Sequence, residues 1–186
     1  MKKAILLLVL GALLGGSAMA QVDWKTIQQA AALDSTNQKM IFVDFSTSWC
    51  GWCKRMDRET FNDQVVSAIL NKYFVPVKFD AEGNDDFIWN GARFTGTPAH
   101  ANGHPGTHQF KTIILGEKTG YPSFAIFTPQ RTIMQILEGY QSAYDFQKIL
   151  WYIVNNDYVR YSFDNYSQIF DEQIKPDMMR KLGLAR

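Results

Sequence analysis

The sequence predicts an α/β fold in which helices flank a central mixed sheet. Three observations carry that expectation. Short runs rich in branched and aromatic residues alternate with segments of helical periodicity. Their order along the chain reads β-α-β and then β-β-α, the pattern of a layered α/β domain. The last two strand-like runs are joined by Thr128-Pro129-Gln130-Arg131, a connection short enough to require antiparallel pairing.

Taken in order, residues 1–20 read as an export signal. Lys2 and Lys3 form a positive start, Ala4 to Leu14 an apolar stretch, and Ala18-Met19-Ala20 a small-x-small cleavage site. The apolar stretch is about 11 residues, short of the ~20 needed to span a bilayer. No cysteine stands there for lipid attachment. The mature chain is therefore expected to begin at Gln21, periplasmic or secreted, with no stable membrane insertion. Losing residues 1–20 removes two lysines and no acid, so the formal charge moves from +1 to −1. A near-neutral surface gives no electrostatic case for nucleic acid or anionic lipid as a partner. The remaining 166 residues of the 186 suit one domain with its own core.

Trp24, Ile27, Ala30 and Ala31 share one face of a helix expected over residues 23–33. A strand follows over 40–45 and a helix over 50–58. Val65, Val66, Ile69 and Leu70 make the apolar side of a helix over 63–73. Residues 74–79 form the next strand. Pro76 within it has no N–H for the ladder, which places it at a strand start, an edge or a bulge. The segment 82–103 is rich in Gly, Asn and Asp, and residues 88–94 read as a hairpin closed by Asn90-Gly91. A short helix is expected over 107–115, strands over 123–127 and 132–137, an amphipathic helix over 144–154, and then an aromatic-rich tail to Arg186.

The chemistry sits in Trp49-Cys50-Gly51-Trp52-Cys53-Lys54, which holds both cysteines of the chain. Two thiols two residues apart can close into a small disulfide and reopen. A cross-link over so short a loop removes little chain entropy, so stability is a poor reason to have one. The pair therefore reads as a two-electron redox switch. An ordinary thiol, with pKa ~8.5, is mostly protonated at neutral pH. A place in the first turn of a helix favours the thiolate, through unpaired N–H groups and the helix dipole. Cys50 is thus the expected nucleophile, and Cys53, one turn deeper, the resolving thiol. Metal binding is the rival reading of a lone CxxC. A tetrahedral zinc site needs about four ligands, and no second CxxC exists. A c-type haem site would need histidine where Lys54 stands.

The run Val43-Asp44-Phe45-Ser46-Thr47-Ser48-Trp49-Cys50-Gly51-Trp52-Cys53-Lys54 resembles the active-site segment of thioredoxins. Val77-Lys78-Phe79-Asp80 looks like the next strand of that fold, and Gly120-Tyr121-Pro122-Ser123-Phe124 like its cis-proline loop. The stretch from Cys53 to Asp63 is similar to the C-terminal domain of the periplasmic electron-relay protein DsbD and to exported relatives of its kind. The resemblance spans roughly residues 24–155. It implies a thioredoxin-like domain over residues 21–155 after the signal peptide of 1–20, with an insertion at about 82–103 and a C-terminal extension over 156–186. It further implies a redox disulfide Cys50–Cys53. Asp44 would be the buried proton acceptor for Cys53, with Lys78 beside it. Pro122 would present the backbone of Tyr121 to an extended partner segment, and Trp49, Gly51 and Trp52 would line the docking surface. The chain departs from cytosolic thioredoxins in having Gly51-Trp52 between its cysteines and Arg58 where their helix proline stands.

The uncharged dipeptide favours an ordinary thiol and hence a reducing role. The expected protein is an exported protein-disulfide reductase with no cofactor and no metal. Its partners would be disulfide-containing exported proteins as substrates and an upstream, membrane-bound thiol electron donor. An isomerase or oxidase of the same fold is one alternative. A second is an exported metal-handling protein using the CxxC with His100, His104 and His108, and a third is a noncatalytic interaction module with the tail as its contact.

Overall fold

The computed structural model describes residues 21–33, 36–99, 103, 106–117 and 119–185. The expected export signal in residues 1–20 lies outside the described residues, as do His100 and His104.

Along the chain the elements are α1 (Ile27–Ala31), β1 (Met40–Ser46), α2 (Gly51–Glu59), α3 (Gln64–Tyr73), β2 (Phe74–Asp80), β3 (Phe87–Trp89), β4 (Ala92–Phe94), α4 (Gln109–Leu115), β5 (Ser123–Phe127), β6 (Ile133–Glu138) and α5 (Ala143–Val154). A 3-10 turn (Asp157–Val159), α6 (Phe163–Ile169), a π turn (Phe170–Ile174) and α7 (Lys175–Leu182) complete the chain. The sheet runs β2-β1-β5-β6. β1 and β2 are parallel and the other neighbours antiparallel, so the sheet is mixed and flanked by helices.

Side chains alternate across a strand, and both faces of this sheet are covered. Phe42 of β1 packs with Phe61, Phe124 and Phe146 beneath α2, α3 and α5, where Met56, Leu70 and Trp151 join it. Ile41, Val43 and Phe45 face the other way, against Ile27 of α1, Phe110 of α4 and the β3–β4 hairpin. Burying one such ring contributes roughly 1.5–3 kcal/mol. Asp44 shares the Phe42 side of β1, which places a carboxylate under α2.

The first helix is shorter than its apolar periodicity suggests. Thr26 makes a capping box with Gln29, and the helix starts only after it. Before Thr26 the chain is extended along β2: the Lys25 N–H donates to the Pro76 carbonyl at 2.8 Å, and the Lys78 N–H donates to the Lys25 carbonyl at 3.1 Å. Pro76 accordingly stands in an outer strand of the sheet. In the hairpin Asn90 and Gly91 both take positive φ, 50° and 79°, as a two-residue turn of this kind requires. The tail is folded onto the domain, with Tyr166, Phe170 and Met178 buried in the core beneath α5. Among the described residues no helix is long and apolar enough to cross a membrane.

Candidate active site

Cys50 is the N-cap of α2 and Cys53 lies in its first turn. The two are joined by a disulfide, and the Cys53 N–H donates to Sγ of Cys50 at 3.0 Å. Both are buried, while Trp49 and Trp52 beside them are 63% and 55% exposed. Gly51 has no steric reason to lack a side chain, since an added Cβ would meet nothing within 4 Å. Gly51 itself is exposed beside the pair.

β1 and β2 are in register at Asp44 and Lys78. Oδ2 of Asp44 accepts from Nζ of Lys78 at 2.6 Å, while Oδ1, equally buried, has no hydrogen-bond partner among the described residues. The same ammonium donates to Oδ1 of Asp57 on α2. Burial pushes the Asp44 carboxyl up to about 6, against an opposing pull from Lys78. Burial also works against the Lys78 charge, but Asp44 and Asp57 outweigh it and raise its pKa. An open cleft of about 400 Å³, lined by Trp24, Asp57, Phe61 and Lys78, reaches this group from solvent. The arrangement can hold a proton at Asp44 and exchange it near neutral pH.

The Tyr121–Pro122 peptide is cis and leads into β5. Trp49 meets the Tyr121 ring edge-on at 5.9 Å, and its Nε1–H donates to Glu82 at 2.9 Å. Trp52 instead contacts Tyr140, with ring centres 5.4 Å apart. The structure thus brings Trp49 to Tyr121 and Asp44 to Lys78, and gives Trp52 a partner outside the residues singled out from the sequence. Asp57, Glu82 and Tyr140 were not among them. For Asp57 a signal existed: it follows Cys53 by four residues and so shares its helix face.

His108 is the N-cap of α4. Its Nδ1 accepts from the Phe110 N–H at 3.0 Å, and Nε2 donates to the Asp85 carbonyl at 2.8 Å. With both ring nitrogens engaged it offers none to a metal, which corrects the metal-handling alternative at that residue. Among the described residues no group of three or more His, Cys, Asp or Glu side chains is arranged to hold a metal.

Fold and cysteine pair together place the chain in the thioredoxin-like class, with a Cys-x-x-Cys disulfide at the start of a helix. The chain belongs to the Thioredox_DsbH family, described as a protein of unknown function, DUF255, whose profile matches residues 11–148. It is 35% identical over 66 residues to spermatogenesis-associated protein 20 of Homo sapiens, a stretch covering 35% of this chain and 8% of that protein. It is 38% identical over 58 residues to the thiol:disulfide interchange protein DsbD of Vibrio vulnificus, covering 31% of this chain and 10% of that one. The matched stretches thus span a tenth or less of these relatives. A thioredoxin-fold protein from Helicobacter pylori superposes with a TM-score of 0.55 at 15% identity, over 92% of this chain and 97% of that one. At that identity the likeness shows the fold alone.

Proposed function

We propose that this protein is an exported reductase of protein disulfides. The reading is supported by the Cys50–Cys53 disulfide at the start of α2, together with a buried Asp44 on β1 whose pKa is raised to about 6 and whose partner Lys78 also bonds Asp57 of α2. In the reduced protein the Cys50 thiolate attacks a partner disulfide, forms a mixed disulfide and expels one partner thiolate. Asp44 takes the proton of Cys53, whose sulfur then attacks Sγ of Cys50. The products are the Cys50–Cys53 disulfide and a partner carrying two more electrons as its second thiolate leaves. An upstream, membrane-bound thiol donor returns the protein to its dithiol form.

The reducing direction follows from charge. Gly51-Trp52 adds no cation that would favour a thiolate at the pair, and the Lys78 ammonium is engaged by Asp44 and Asp57. The nearby Arg55 is paired with Glu59 at 2.8 Å. A reduced form that is not stabilised as a thiolate gives electrons up readily. The partner's extended segment would lie beside Tyr121-Pro122, over the open floor at Gly51, against Trp49 and Trp52. Export, and with it a supply of disulfide-containing exported partners, is proposed from the signal pattern of residues 1–20.

Equilibration of the pair with a thiol redox buffer tests the direction. A midpoint potential near the roughly −270 mV of a reducing thioredoxin is expected. A value near the roughly −120 mV of a strong oxidant, or failure of the reduced protein to reduce insulin, would refute the reading.

A further inference from the structure

Trp52 is largely exposed, yet its indole is held in one place. Arg55 and Glu59 of α2 and Tyr140 of the loop after β6 form a closed set of contacts with it. The Arg55 guanidinium lies 5.4 Å from the Trp52 ring centre and 5.0 Å from that of Tyr140. Arg55 Nε donates to Oε2 of Glu59 at 2.8 Å, and the Tyr140 hydroxyl donates to the same oxygen at 2.9 Å. Trp52, Arg55 and Glu59 are spaced i, i+3, i+7, so they rise along one helix face. The loop that supplies Tyr140 is fixed on both sides. The Gly139 N–H donates to the Pro122 carbonyl at 2.9 Å, and Thr60 Oγ1 donates to the Gln141 carbonyl at 2.7 Å.

The thiol exchange itself needs none of this. What the contacts do is remove freedom from a large apolar ring beside the sulfurs. Ordering such a side chain on binding costs conformational entropy, and here the contacts are made beforehand. Because Glu59 neutralises Arg55, the wall offered to a partner is aromatic and uncharged. The Trp49–Tyr121 pair, with its indole N–H already bonded to Glu82, is a second aromatic wall.

We infer that Tyr140, Arg55 and Glu59 are positioning residues that fix Trp52 as a recognition wall, and that this wall selects partner segments with an aromatic or aliphatic side chain next to the reacting cysteine. The inference rests on the proposed disulfide reductase activity and names its substrate class.

The test uses two peptides, each with one internal disulfide, differing only in Phe or Ser beside one cysteine. Single-turnover reduction by the pre-reduced full chain is followed over peptide concentration. The wild type is expected to favour the Phe peptide by about tenfold or more, the range an apolar contact supplies. Tyr140→Ala should cut that preference to about threefold or less, through the half-saturating concentration and not the limiting rate. Tyr140→Phe, which keeps the ring, should restore most of it. Equal rates for the two peptides with wild type, or a full preference in Tyr140→Ala, would overturn the inference while leaving the reductase reading standing. Reduction of neither peptide would overturn both.

Discussion

Nζ of Lys78 lies 2.6 Å from Oδ2 of Asp44, pairing a carboxylate that is 1% exposed with an ammonium that reaches an open cleft. The pair joins adjacent parallel strands at the same register position. It gives the buried acid a charged partner without placing that partner inside the core. The acid is therefore costly to ionise, yet able to ionise near neutral pH.

That cost predicts how stability depends on pH. The native pKa of Asp44, about 6, lies above its ordinary 3.8, so the folded protein holds this proton more tightly than the unfolded chain. The resulting stabilisation is complete below pH ~4, declines as pH rises, and is gone above ~6. A shift of about two units is worth roughly 3 kcal/mol. In denaturant titrations Asp44→Asn should lose this dependence and be more stable than wild type at pH 7, while its resolving step slows. An unchanged difference between the two proteins from pH 4 to 7 would contradict the assignment.

Lys78 and Asp57 should move the same titration in opposite directions. Lys78→Met removes the charge that lowers the Asp44 pKa, so the pH midpoint of the resolving step should rise, by about one to three units for loss of so close an ion pair. Asp57→Asn removes the weakest influence, one that raises the Asp44 pKa, so the midpoint should fall by less. Rapid-mixing kinetics of the two variants across pH 5–9 measure both shifts.

The chain beyond Asn155 should be required for folding. Phe170, Tyr166 and Met178 are fully buried beneath α5, and burial of each contributes roughly 1.5–3 kcal/mol. Removing all three takes away an amount comparable to the whole stability of a typical domain, about 5–15 kcal/mol. Truncation after Asn155 should leave no cooperative unfolding transition, and Phe170→Ala should cost about 3–5 kcal/mol. A truncated protein that unfolds at the wild-type denaturant midpoint would show the tail to be an appendage.

The sheet was legible because β1, apart from Asp44, and β5 are dense apolar runs, and the five residues of β5 match their sequence reading. Cys50 and Cys53 were legible because no other cysteine competes with them. The start of α1 was not, because Trp24 falls on the apolar face of Ile27, Ala30 and Ala31 while the Thr26 capping box decides where the helix begins. Tyr140 and Glu82 were hidden for another reason: each reaches the site from a distant part of the chain through side-chain contacts, which no local pattern records. The tail betrayed its aromatics but not their burial, since Tyr166 and Phe170 find their partners on α5 only in the folded chain.

The central claim is that the two cysteines do unequal work, and the most direct measurement is a map of which one a client sulfur joins. Cys53→Ser and Cys50→Ser, each incubated with a disulfide-bonded protein, are resolved by mass spectrometry without reduction. The account predicts a mixed disulfide through Cys50 that accumulates in Cys53→Ser and disappears on adding a dithiol, with none in Cys50→Ser. Adducts formed equally by both variants, or by neither, would contradict it.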